Sequence, residues 1–325
     1  MEDVLIIGLG CAGYTAAIYT ARYKLKTYIV GAEEGGLGMS AVEVGNWPGD
    51  IEVTGPDLME RYKKHALSFG EIVTHRIARV EKVEPFDYAQ GDIRQRGFRL
   101  TLQSGETVDG RTVIFTMGSI KRHLGTPGEK EFSGKGVTYC ATCDAYFYKG
   151  KDVAVVGGGD SAVEGAAIAA QVAKTVYLIH RRKEFRAEPY WVDRVKARDN
   201  VKFVLERNVI EVLGDQKVKA VKLDTPWEGA DTVAVEGVFI EIGSDPASDL
   251  AKQLGCELDE RGFVKVDGAQ RTNVPGAFAA GDLTNASNFF AQFATAAGEA
   301  SVAANSVFNY LQTAGKEAAR TTIRR

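Results

Sequence analysis

Cys140 and Cys143, two residues apart and followed at once by Asp144, are the residues whose types and spacing offer chemistry. They lie in Tyr139-Cys140-Ala141-Thr142-Cys143-Asp144, near the middle of the chain, with glycine-rich, strand-like stretches on either side. A Cys-x-x-Cys spacing closes a small disulfide ring that can open and re-form. Asp144 stands where it can supply or receive the proton that such exchange requires. The same pair also fits half of a zinc site, which would need a second ligand pair, or two cysteines that simply pack as apolar groups. Cys11 and Cys256 are solitary and the four histidines show no ligand spacing, so no metal is expected.

At 325 residues the chain exceeds one ordinary core, and two domains are expected. Hydrophobic residues at 45% and charged residues at 26% match an ordinary globular enzyme. A net charge of −3 gives no general reason to expect nucleic acid. No run of about 18 apolar residues offers a membrane span. With no leader-like segment ahead of Val4 and only four cysteines, a cytoplasmic location is expected.

The elements that must position the dithiol are glycine-punctuated. Val4-Leu5-Ile6-Ile7 reads as a buried parallel strand, followed by Gly8-Leu9-Gly10-Cys11-Ala12-Gly13 and an alanine-rich helix from Tyr14 to Arg22. Strand, Gly-x-Gly-x-x-Gly and helix in that order form a dinucleotide-binding unit. Its glycines make the tight turn, admit a pyrophosphate and allow close helix packing. Cys11 reads as small apolar packing. The second strand, Thr27 to Val30, ends in Gly31 where a ribose-binding acid is expected, and Glu33 and Glu34 follow slightly later. Gly35-Gly36-Leu37-Gly38 leads to Asn46-Trp47-Pro48-Gly49, which reads as an ordinary turn or the rim of a flat cofactor. Asp57 to Phe69 is expected to be an amphipathic helix with His65 packed on its apolar face. Strand-like alternation then runs from Ile72 to Val108, and Lys121 to Gly136 reads as a crossing between domains.

A second unit opens after the cysteines. Asp152 to Val156 is followed by Gly157-Gly158-Gly159-Asp160-Ser161-Ala162 and another alanine-rich helix, with Ala162 at the third glycine position. Two such units point to two nucleotide cofactors. The next strand ends in His180-Arg181-Arg182-Lys183-Glu184-Phe185-Arg186. Arginines there accommodate a 2′-phosphate, which favours NADPH over NADH, although a charge run also fits a solvated face. Phe263 to Val266 and Val274 to Ala280 are strand-like, and Gly281-Asp282 follows; in a two-nucleotide flavoprotein an aspartate beside glycine at a strand end would suit a hydroxyl of the flavin's ribityl chain. A helix is expected from near Gln292, and the polar residues from Lys316 to Arg325 read as a frayed tail.

Taken in order, these motifs resemble the low-molecular-weight thioredoxin reductases, of the class II pyridine nucleotide disulfide oxidoreductase type. The resemblance rests on Gly8 to Gly13 with Tyr14-Thr15-Ala16-Ala17, Asn46 to Gly49, Cys140 to Asp144 and Gly157 to Ser161 with Ala162-Val163-Glu164. It continues through His180-Arg181-Arg182 with Phe185-Arg186-Ala187, and Gly281-Asp282 with Thr295-Ala296-Ala297-Gly298. It implies an α/β fold of two Rossmann-like, three-layer ββα nucleotide-binding domains. A discontinuous FAD domain, 1–117 and 244–325, would hold FAD through Gly8, Gly10, Ala12, Gly13, Glu33, Gly36, Asn46, Gly281, Asp282 and Gln292. An inserted NADPH domain, 118–243, would carry the dithiol and use Gly157, Gly159, Asp160, Ser161, Glu164, His180, Arg181, Arg182 and Arg186.

By the same resemblance, electrons pass from NADPH through FAD and the Cys140–Cys143 disulfide to thioredoxin or a thioredoxin-like protein. Cys143 would be nearer the flavin, Cys140 would attack the partner and Asp144 would be the acid/base. The NADPH domain would rotate between two poses in a homodimer. Alternatives are an FAD-dependent dithiol oxidase, a reductase fed by a donor such as ferredoxin, or a regulatory flavoprotein without turnover. The chain departs from the family pattern at Leu37, Gly165 and Ala291, where a side-chain amide, a second acid and an arginine are common.

Overall fold

The computed structural model describes residues 1–41, 43–90 and 93–323. It divides into two compact units, Met1–Ile120 with Asp245–Arg325, and Lys121–Ser244.

In the first unit the strand Glu2–Leu9 is flanked on one side by Thr27–Glu34 and Val73–Ile77, and on the other by Thr107–Phe115, all parallel. The sheet continues antiparallel through Ile93–Leu102 and Val80–Gln90, and Ala277–Ala279 also pairs in parallel with Thr107–Phe115. The first strand is apolar throughout because both its faces are covered. Val4 and Ile6 pack with the helix Cys11–Arg22 and with Ala300, Ala303 and Val307 of the helix Phe293–Ile323. Leu5 and Ile7 meet Phe98, Leu100, Phe115 and Leu254 on the other face.

The second unit has three layers. A parallel sheet holds, in order, Val201–Leu205, Thr175–His180, Asp152–Val156, Gly237–Ile240 and Val137–Thr138. Val153 and Val155 face the alanines of the helix Asp160–Ala169, whose small side chains let it lie close to the sheet. Ala154 and Val156 face an antiparallel sheet of Val209–Gly214, Val218–Trp227 and Ala230–Ala234. This is a ββα arrangement.

Several local expectations change. The second strand runs on to Glu34 instead of stopping at Val30. Gly55–Leu67 is the helix, capped by Thr54 Oγ1 on Asp57 N at 3.2 Å; Leu58 and Ala66 are buried, but His65 is exposed. Phe263 to Val266 forms only isolated bridges, Val264 pairing antiparallel with Leu258 and parallel with Thr284. The stretch after Lys121 folds into the second unit: Phe132 joins the core beneath the antiparallel sheet, and Val212 N donates to Pro127 O at 2.9 Å. The last helix continues through Ile323 where a frayed tail is expected from Lys316, and Arg324 and Arg325 lie outside the described residues.

Candidate active site

Cys140 and Cys143 are disulfide-bonded across the short helix Ala141–Asp144, which follows directly on the edge strand Val137–Thr138. Cys140 is extended and caps this turn, its Sγ accepting from Cys143 N at 3.1 Å. Cys143 is exposed and Cys140 half-buried. Asp144 receives the Thr138 hydroxyl, which also accepts from Cys140 N at 3.3 Å, so the acid is held at the dithiol from both ends of the turn. Gly165 of the helix Asp160–Ala169 lies under the turn, where an added Cβ would stand 2.7 Å from that of Ala141. The glycine at this position makes room for the disulfide ring.

Further residues around the dithiol were not singled out from the sequence. Ala141 N donates to Glu241 Oε1 at 3.1 Å, and Lys121 Nζ meets Glu241 Oε2 at 2.7 Å. Burial pushes the Glu241 carboxyl up, opposed by Lys121 and the Ala141 amide. The available signal was a carboxylate inside the apolar run Val238-Phe239-Ile240-Glu241-Ile242. Tyr146 and Phe147, just past the dithiol, are 72% and 76% exposed. On the preceding side the Tyr139 hydroxyl donates to the buried Glu129 at 3.1 Å and meets His123 Nδ1 at 2.8 Å, and burial together with Glu129 pushes Tyr139 up to about 12.

The second glycine loop leaves the carboxyl end of Asp152–Val156. Gly157 has φ +147° and a Cβ there would strike the Glu241 carbonyl, so only glycine fits. Gly159 has open space where its Cβ would be, the concavity an approaching diphosphate requires. Ala162 is buried at the third position. Ser161 is exposed at the first turn of the helix, and Glu164 is half-buried one turn on. Asp160 Oδ1 accepts from Glu188 N at 2.7 Å, tying the loop to the chain that follows the arginines.

His180 lies beneath the loop against Gly158, buried, stacked on Phe185 and bonded through Nε2 to Glu184 O at 3.2 Å. Burial, then the neighbouring arginines, lower its basicity. Arg181, Arg182 and Arg186 are exposed, and none forms an ion pair among the described residues. Arg186 N donates to Gly158 O at 2.8 Å, which ties the basic segment to the glycine loop.

In the first unit Gly8, with φ +127°, turns against Thr116, and the helix Cys11–Arg22 starts after Gly10, where an added Cβ would meet nothing closer than Gly35 O at 3.9 Å. Ala12 and Gly13 are buried in the first helical turn. Gly36 opposes Gly10, with 3.8 Å from its notional Cβ to the Gly10 Cα. Glu33 is exposed beside these loops, whereas Glu34 is engaged by Lys63 at 2.9 Å and His75 at 3.3 Å.

Gly281-Asp282 follows the strand Ala277–Ala279 at the same sheet end, Ala280 N donating to Phe115 O at 3.0 Å. Glu299 Oε2 accepts from Gly281 N at 2.8 Å and Thr284 Oγ1 at 3.1 Å. Burial, then the Glu299 charge, push Asp282 up to about 6. Asn46 Nδ2 donates to Gln292 Oε1 at 2.9 Å. Cys11 is buried, its thiol reaching Phe293 O at 3.4 Å and pushed up to about 11 by burial. No cluster of three metal-ligating side chains occurs among the described residues. Nor is any described helix long and apolar enough to cross a membrane.

A family model described as pyridine nucleotide-disulphide oxidoreductase matches residues 2–306. A thioredoxin reductase of Mycolicibacterium smegmatis is 42% identical over 302 residues, covering 92% of this chain and 93% of the relative. A Pseudomonas fluorescens protein named glucosaminate ammonia-lyase is 41% identical over 320 residues and 95% of each chain. The crystal structure of Lactococcus lactis thioredoxin reductase superposes with a TM-score of 0.87 at 32% identity, covering 96% of this chain and 100% of that one.

Proposed function

Since this chain belongs to the pyridine nucleotide-disulphide oxidoreductase family, and within it to the thioredoxin reductases, we propose that it is a flavoprotein that reduces the disulfide of thioredoxin or a thioredoxin-like protein with NADPH. The observation that carries this reading is the Cys140–Cys143 disulfide, with Asp144 fixed beside it through Thr138. Overall identity does not carry it, because a relative at 41% bears the name of another activity.

The first unit is then the FAD domain. Gly8, Gly10, Ala12, Gly13 and Gly36 form a cradle for a diphosphate, exposed Glu33 is free to accept ribose hydroxyls, and Asp282, Asn46 and Gln292 stand for the flavin end. The second is the NADPH domain. Gly157, Gly159 and Ser161 take the diphosphate while Asp160 and His180 brace the loop, Glu164 standing one turn into the helix. Arg181, Arg182 and Arg186 supply charge for a 2′-phosphate. FAD held by the residues of the first unit would supply the two-electron chemistry that links NADPH to the disulfide.

The reduced Cys140 thiolate attacks a sulfur of the partner's disulfide and expels the other as a thiolate, forming a mixed disulfide. Cys143 then attacks Cys140 Sγ, restoring the internal disulfide and releasing the second partner sulfur. Asp144 holds the proton that passes between Cys143 and the leaving sulfur. Exposed Tyr146 and Phe147 present an apolar surface for a protein partner beside the disulfide. A cytoplasmic homodimer is the setting in which this chemistry is proposed.

Anaerobic titration of the purified protein with NADPH, followed by oxidised thioredoxin, tests this. Bleaching of flavin absorbance by NADPH, and its return on adding thioredoxin, is the expected result. Bleaching by neither NADPH nor NADH would overturn it in favour of a ferredoxin-type donor or a dithiol oxidase.

A further inference from the structure

Glu241 is 5% exposed and takes no part in the exchange steps above. A carboxylate is costly to bury unless its charge is compensated and its oxygens are bonded. Both conditions are met, and in a directional way. Oε1 takes the Ala141 N–H at 3.1 Å, the peptide directly after Cys140, while Oε2 takes Lys121 Nζ at 2.7 Å. One oxygen of the carboxylate thus engages the lysine and the other the amide directly after Cys140, which places a buried charge beside the dithiol turn.

We propose that Glu241 is a positioning residue for the dithiol: it holds the Cys140–Ala141 peptide, and its charge, partly offset by Lys121, keeps the Cys140 thiol from ionising too readily. A second anion forming next to a fixed one is disfavoured. This matters for the exchange because a thiolate of very low pKa is a poor nucleophile and a good leaving group. A Cys140 that ionised too readily would leave the mixed disulfide backwards, toward the oxidised partner. The inference rests on the proposed thiol chemistry, but not on the identity of the electron donor or partner.

The other charged or titratable groups around the turn stay constant in the test. They include Asp144 on Thr138, Tyr148 beside Asp144, the His123, Tyr139 and Glu129 cluster, and Glu164 next to the packing residue Gly165.

The experiment uses FAD-loaded Cys143→Ser protein, in which Cys140 is the accessible thiol because Cys11 and Cys256 are buried. Its alkylation by iodoacetamide is followed against pH by mass spectrometry of the Cys140 peptide. Adding Glu241→Gln keeps an oxygen acceptor for Ala141 N and removes the charge. The midpoint of the profile is expected to fall by about one pH unit, with the rate at pH 7 up about threefold after allowing for the weaker nucleophile.

Glu241→Asp, which keeps the charge, should leave the midpoint near that of the parent. Should the glutamine variant not fold, Glu241→Gln with Lys121→Met, a neutral pair, is expected to shift the midpoint in the same direction by less. Profiles that superimpose on the parent, or an aspartate variant that shifts as far as glutamine, would overturn the proposal. Neither NADPH nor thioredoxin enters the assay, so its failure is distinct from a failure of turnover.

Discussion

Asn46 and Gln292, 246 positions apart, are joined by a single side-chain hydrogen bond of 2.9 Å. It ties the turn before Trp47 to the residue that precedes the helix Phe293–Ile323. Trp47 in turn packs edge-on to Tyr62 and against Val44, Val53 and Leu58. Replacing either residue by alanine should cost about 1 kcal/mol, since Asn46 is exposed and water replaces its partner. Thermal unfolding of the FAD-free variants should fall by about 2–4 °C. The double variant should lose less than the sum, and strict additivity would show that the bond contributes nothing.

Coenzyme choice is predicted to sit on Arg181, Arg182 and Arg186. Alanine at Arg181 or Arg182 removes a charge-assisted contact worth about 1.5–3 kcal/mol. KM for NADPH should rise about tenfold to a hundredfold in steady-state assays, with kcat little changed and KM for NADH nearly constant. Equal losses with both coenzymes would assign the arginines to general steering rather than to the 2′-phosphate.

The two cysteines are predicted to differ in what they trap. Cys143→Ser, mixed with oxidised thioredoxin after reduction, should accumulate a mixed disulfide through Cys140 visible on a non-reducing gel. Cys140→Ser should not. Trapping by Cys140→Ser alone would reverse the assignment of attacking and resolving thiol.

Asp282 gives a pH signature. Its carboxyl, pushed up to about 6 in the fold by burial and then by Glu299, ionises near 4 in the unfolded chain. The native state therefore binds the proton more tightly, and ionised Asp282 destabilises the FAD-free protein above pH 6. That penalty disappears as the pH falls through 6 toward 4. FAD-free Asp282→Asn should be more stable than the parent by about 2 kcal/mol at pH 7.5 and by nothing near pH 4, measured by denaturant unfolding. The same variant should bind FAD about tenfold more weakly in a flavin fluorescence titration, the loss of one charged hydrogen-bond partner.

The parts of the fold carried by local pattern were legible in the sequence. Val4 to Ile7 and Asp152 to Val156 are short, apolar on both faces and followed by glycines, and each became a central parallel strand before a helix. The dithiol was legible because a Cys-x-x-Cys spacing carries its geometry within four residues. What escaped was long-range. Glu241 and Ala141 are 100 positions apart, and nothing near Ala141 announces that its amide needs an acid. His65 was misplaced because helical spacing brings it close to the apolar stripe without saying where that stripe ends. Phe263 to Val266 alternates like a strand but found no neighbour with a matching run.

The carbonyl of Glu241 forbids any side chain at Gly157, while the carboxylate of the same residue holds the amide beside Cys140. The second glycine loop and the dithiol turn thus share a foundation one residue wide. For protein engineering this means the two are not separable modules. A side chain introduced at Gly157 would press on the strand end at Glu241, and through it on the dithiol turn. Variants selected for a new donor should be screened for thiol reactivity in the same round.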